Sequence, residues 1–140
     1  MGKYLQNVQF RHDPLVGKER LLEEAQKISA DLKVIETYFN KHLPKKIEIG
    51  NQIWRFIIML TPIADKNRLT EVIGLCQDYY VYIDYKKILG LQSSERRKEL
   101  LNIFVLGIKR CCEANNYKND LFQHIYEKVK EEMEREAFKD

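Results

Sequence analysis

The chain has 140 residues, 44% hydrophobic and 32% charged, with a formal net charge of +3 from 24 basic and 21 acidic side chains. That length supports one domain with its own core, residues 1–140 as a single unit. No low-complexity tract and no Gly, Ser or Pro run is present, which excludes a linker-like chain, and the charge is too balanced to point to nucleic acid by composition alone.

Met1-Gly2-Lys3-Tyr4-Leu5-Gln6 holds no apolar signal core, and no later run approaches the roughly 18 apolar residues of a membrane span. Gln6 stands where a myristoylation start needs Ser or Thr. Cys76, Cys111 and Cys112 are an odd count with two adjacent, a poor disulfide framework that suits a reducing cytoplasm. A cytoplasmic protein without membrane contact is expected.

Residues 1–13 read as a loose arm or an edge strand. Asp13-Pro14 opens a helix, because Asp caps and Pro suits the first helical position. Leu21, Ala25, Ile28, Leu32, Ile35 and Phe39 then recur at spacings of three and four, one apolar stripe running to about residue 42. Leu43-Pro44 stops it.

Lys46-Ile47-Glu48-Ile49 alternates like a strand, and Gly50-Asn51 is a hairpin-type turn. Ile53 to Leu60 is apolar on both parities except at Arg55, as an interior strand requires. Residues 63–78 fit either a helical face or a short strand at Val72–Cys76; the flanking strand-like runs favour the strand. Four antiparallel strands would then form a meander over residues 46–85.

Its last strand is Tyr79-Tyr80-Val81-Tyr82-Ile83-Asp84-Tyr85. Period-two alternation puts Tyr79, Val81, Ile83 and Tyr85 on a covered face and Tyr80, Tyr82 and Asp84 on the other. Lys86 to Leu91 leads out as a turn or short helix. A helix then begins at Ser93-Ser94-Glu95, buried through Leu100, Leu101, Phe104, Ile108, Cys111 and Cys112, with Ile103, Val105 and Leu106 widening the stripe. Asn115-Asn116 breaks it. Asp120 caps a last helix with Phe122, Ile125, Tyr126, Val129 and Met133 inward, and its glutamate-rich end past residue 134 should fray against the helix dipole.

Chemistry-bearing patterns are sparse. His12, His42 and His124 stand in no metal-binding spacing, and no glycine-rich phosphate loop or nucleophile elbow occurs. No cofactor, metal or enzymatic activity is expected. Cys111 and Cys112 point about 100° apart on a helix, so they read as buried small hydrophobes, not a redox pair. Asp84 is the one carboxylate embedded in a strand; a general base or a carboxylate pair with Glu48 is one reading and a polar residue on an open face the commoner one.

Tyrosine offers large contact area, little rotamer entropy and a polar tip, so a sheet face bearing Tyr80, Tyr82 and Asp84 reads as a protein-binding platform. Lys86, Lys87, Arg96 and Arg97 would form its rim. Residues 86–118 carry eight basic against three acidic side chains. A basic helix beside tyrosines also suits nucleic acid, the alternative reading, with Arg96, Arg97 and Lys109 as the phosphate contacts.

Tyr79–Asp84, the following Tyr85-Lys86-Lys87-Ile88-Leu89-Gly90-Leu91, and Glu95-Arg96-Arg97-Lys98-Glu99-Leu100-Leu101-Asn102-Ile103-Phe104 together resemble the C-terminal half of small immunity proteins from bacterial polymorphic-toxin systems. The resemblance covers about half of the chain. It implies a cytosolic, non-enzymatic protein that binds and blocks a toxin domain. Many immunity proteins against nucleases are acidic, and this chain is slightly basic, so a nuclease target is not implied. The expectation is an α+β domain: an N-terminal helix, an antiparallel sheet of about four strands and two C-terminal helices, neutralising a toxin by occlusion.

Overall fold

A computed structural model describes residues 5–13, 22–45, 47, 53, 55–63, 68–69, 76–118 and 120–136. In chain order they form β1 (Asn7–His12), α1 (Leu22–Lys41), β2 (Arg55–Thr61), β3 (Arg68–Leu69), β4 (Cys76–Tyr82), α2 (Tyr85–Leu89), α3 (Ser93–Ala114) and α4 (Asp120–Glu136).

The α+β class holds, but the expected antiparallel meander does not. The sheet order is β1-β2-β4-β3, and the three long strands run parallel. Among the described residues only the two-residue β3 is antiparallel, pairing Arg68 with Tyr80 and Leu69 with Tyr79. Alternating apolar residues mark a strand without fixing its direction. Direction follows from what joins the strands, and here α1 joins β1 to β2 as a crossover of the kind parallel neighbours need. The N-terminal arm is thus the strand β1 at the sheet edge. The strand and turn expected at Lys46–Asn51, Ile47 apart, and residues 72–75 of the strand expected at Val72–Cys76 lie outside the described residues, as does the helix start at Pro14. Cys76 instead opens β4, which runs on through Gln77 and Asp78 without a turn. Ile47 is not in a strand, although its carbonyl accepts from Leu5 N–H at 2.7 Å.

One face of the sheet builds the core. Val8, Phe10, Phe56, Ile58 and Leu60 are buried on it. Against them lie Ile28, Ile35 and Phe39 of α1 and Leu100, Phe104 and Ile108 of α3, all fully buried. Phe10 stacks on Phe104 at 4.6 Å between ring centroids, Phe104 meets Phe39 edge-on at 5.4 Å, and Phe39 stacks on Phe122 at 6.3 Å. This row of rings ties β1, α3, α1 and α4 together, each ring contributing about 2–3 kcal/mol of burial. Gly107 lets α3 close on the sheet, since a Cβ there would sit 2.8 Å from Ile58 Cδ1. The buried side of α3 is as expected, except that Leu106 is 53% exposed.

Helix α1 also closes the sheet edge. The Asn40 side-chain amide accepts from Val8 N–H at 2.9 Å and donates to Val8 O at 2.8 Å, standing in for a neighbouring strand residue. Glu36 Oε1 accepts from Phe10 N–H at 3.1 Å. These bonds satisfy outward groups that an edge strand would otherwise leave open to pairing.

Asp31 of α1 holds α3. Its side chain is 3% exposed, and its two oxygens accept from Arg96 Nε and Arg97 Nε, both at 2.7 Å. Replacing Asp31 by Ala would remove the buried carboxylate that two partly buried guanidinium groups share. The Asp31→Ala protein is expected to lose about 3 kcal/mol of unfolding free energy, measured by urea titration. A loss below about 0.5 kcal/mol would show that the clamp does not hold the helices.

Candidate functional site

The site is built where β4 leaves the sheet. Ile83 N–H donates to Thr61 O at 3.0 Å, which carries the β2–β4 pairing one step past Tyr82. Asp84 then takes an extended backbone, φ −92° and ψ 104°, and caps α2: its Oδ1 accepts from Lys86 N–H at 3.1 Å and Lys87 N–H at 3.3 Å. Gly90 closes the far end of this short helix. Asp84 is therefore a cap rather than a member of the tyrosine face, and Tyr85 is a helical rather than a strand residue. The suggested Asp84–Glu48 pair falls on Glu48, outside the described residues.

Tyr85 anchors α2 beneath this edge. It is buried, and its hydroxyl lies 2.8 Å from His12 Nδ1 and 3.4 Å from Leu60 O. Burial first, and the charge of Asp13 second, push its phenol well above the usual range. His12 Nε2 lies 3.4 Å from Ser29 Oγ. The imidazole thus touches the end of β1, α1 and α2 at once. Burial lowers its pKa from the usual 6.5, partly offset by the Ala25 carbonyl, which favours the charged ring.

Two hollows flank the Tyr82-Ile83-Asp84 ridge. The larger, about 440 Å³, has Val81, Ile88, Leu91 and Ile103 among its apolar lining and Tyr82, Asp84, Lys87 and Glu99 among its polar lining. The smaller, about 250 Å³, runs between Pro62, Tyr85 and Lys86 on the other side of the ridge. Both lie at the carboxyl ends of parallel strands, where open sheets of this kind place their ligands. Tyr82 is 44% exposed, and Asp84, Lys86 and Lys87 are exposed around it.

The structure therefore brings together Tyr82, Asp84, Lys86 and Lys87 of the sequence-predicted residues. Tyr80 is half-buried on the sheet face away from the helices, in register with Met59. Arg96 and Arg97 are not rim residues; their Nε atoms face Asp31. Ile88, Leu91, Glu99 and Ile103 were missed as site residues. The sequence signal for Ile103 was an apolar residue at the margin of a buried stripe, which is also how a groove lining looks.

The sheet face carrying Tyr80 also holds Gln9, Arg11, Ile57, Met59 and Asp78 by register. Helices α1 and α3 pack against the opposite face through the core residues named above. Burial raises the pKa of Asp78, and Gln9 Oε1 is buried without a hydrogen-bond partner. Cys111 and Cys112 are buried with free thiols. Burial, and the charge of Glu113 after it, pushes Cys112 up to about 12, and burial likewise raises Cys111, so neither is thiolate at neutral pH. Among the described residues, no three His, Cys, Asp or Glu side chains converge on a metal-sized space, and no described helix is long and apolar enough to cross a membrane.

The lowered His12 pKa fixes a sign. The unfolded chain takes up this proton near 6.5 while the folded chain resists it, so the contribution is full above that value and is lost as pH falls toward the folded pKa. The urea midpoint of the native chain should therefore drop between pH 7.5 and 5.5, and His12→Asn should shrink the drop. An identical drop in both proteins would remove His12 from the account.

No family model, curated protein or solved structure matches this chain.

Proposed function

We propose that this chain is a protein-binding domain, an immunity-like inhibitor that neutralises a toxin domain by covering it. The observation that carries the reading is Tyr82, 44% exposed on a ridge between two hollows. A half-exposed aromatic with a polar tip, set beside an apolar floor, has the make-up of an interface anchor. Its polar rim carries both signs, Asp84 and Glu99 against Lys86 and Lys87. Such a rim suits the mixed surface of a folded partner and fixes register through charge.

The mode of binding follows from the edges. Strand addition on β1 is opposed by Asn40 and Glu36, which already occupy its outward groups. The groove at the strand ends is the better seat. Arg96 and Arg97 direct their Nε donors at Asp31, which argues against the nucleic-acid alternative.

The test is co-expression of the tagged chain with products of adjacent genes, followed by capture at low and high salt. A single stoichiometric protein retained at high salt supports the reading; nucleic acid recovered only at low salt contradicts it. In the recovered complex, Tyr82→Ala should weaken binding by about 2 kcal/mol or more while leaving the unfolding transition in place. Unchanged affinity in the folded variant would overturn the assignment of Tyr82.

A further inference from the structure

Helices α3 and α4 form a second trough, on the face of α3 next to the groove described above. Two adjoining cavities of about 110 and 300 Å³ share Asn102 and Tyr126 and run between the two helices. Tyr126 of α4 is tied to α3 by its hydroxyl, which donates to exposed Asn102 Oδ1 at 2.7 Å. Leu101 and Val105 are buried beneath it, and Leu106 stands at its lip, 53% exposed. An exposed leucine alone is unremarkable on a protein surface; one beside a trough with an apolar floor gives a binding seat its shape.

Among the described residues, every charged side chain that lines this trough is a lysine: Lys98 and Lys109 from α3 and Lys130 from α4. Lys109 donates to Gln123 Oε1, which fixes its head at the rim. Glu127 of α4 is outside the lining and accepts from Gln123 Nε2 at 3.3 Å. Lys98 and Lys109 are separated by eleven positions of helix, or about 16 Å, which is roughly three turns.

We infer that the α3–α4 trough receives an acidic amphipathic helix of a partner protein. Its apolar side chains would lie on Leu106 and Tyr126, and its carboxylates would face Lys98, Lys109 and Lys130. A groove between two helices is filled by a third, with anchors at i, i+4 and i+7 and charge on the flanks. The same lysines would attract phosphates, but the most exposed apolar group here is aliphatic and offers a base no stacking face. The tyrosine ring is half-buried with its hydroxyl engaged. Shape and chemistry therefore favour a helix over a nucleic-acid strand. The inference does not depend on the reading of the Tyr82 groove, which involves other side chains of α3.

The test uses a designed fluorescent peptide of about four helical turns, with leucines at i, i+4 and i+7 and glutamates beside them. Three controls accompany it: the same peptide with lysine for glutamate, an oligothymidylate, and the variants Leu106→Glu and Lys130→Glu. Both substituted side chains are exposed, and circular dichroism checks that each variant folds. The expected result is saturable binding of the acidic peptide by the full chain. Binding should weaken as salt rises and weaken roughly tenfold or more in each variant, with no binding of the basic peptide. Absence of binding by the acidic peptide, equal binding of both peptides, undiminished binding by the folded variants, or tighter binding of the oligothymidylate would each overturn the inference.

Discussion

Parallel pairing of β1, β2 and β4 is the constraint on which the rest of this structure depends. Parallel neighbours cannot be joined by a tight turn, so the chain must leave the sheet and return. Between β1 and β2 it does so through α1, and after β4 it continues into α2, α3 and α4. Helices α1 and α3 pack on the core face of the sheet, and α2 and α4 contact α1. The carboxyl ends of the long strands consequently meet at one edge, where His12, Thr61 and Tyr82 are the last strand residues. The Tyr82 ridge and its two hollows are at that edge because the strands all point there.

Helix α1 converts this topology into a fixed arrangement. It covers β1 with Ile28, Ile35 and Phe39, closes the strand edge with Glu36 and Asn40, and holds the start of α3 through Asp31. At its far end it reaches α4, where Glu132 accepts from His42 and Lys41, and Tyr38 donates to Glu136. Burying Glu132 opposes its ionisation, but the bonds from His42 and Lys41 outweigh this and hold its carboxyl below the usual range. This gives the last turns of α4 tertiary partners despite a glutamate-rich end that faces the helix dipole unfavourably. Helix order there comes from packing against α1, which local sequence could not report.

The helices were legible because each shows one apolar stripe at three- and four-residue spacing, from Ala25 to Phe39, Leu100 to Cys112 and Phe122 to Met133. Strand direction was not legible, since alternation is the same in parallel and antiparallel strands. At the site, Tyr82, Asp84, Lys86 and Lys87 were nominated and lie together. Asp84 was given the wrong role: the tyrosine alternation was read one step too far, over a cap signal in which Asp84 opens a short helix and Gly90 closes it. Arg96 and Arg97 were taken for a solvated rim because Asp31 is 65 and 66 positions away. A contact of that range leaves no local trace. Leu106 was placed inside by its type, whereas its position one turn beyond Asn102 turns it to the trough between α3 and α4.

The central claim is that the carboxyl edge of the parallel strands is where this chain meets a protein partner. It is tested most directly by placing a photo-crosslinking phenylalanine analogue at Tyr82 in cells that express the chain, with the same side chain at exposed Thr37 of α1 as the control. A discrete protein adduct of one mass from position 82, and none from position 37, is the result the account requires. No protein adduct at 82, equal adducts at both positions, or adducts only with nucleic acid would contradict it.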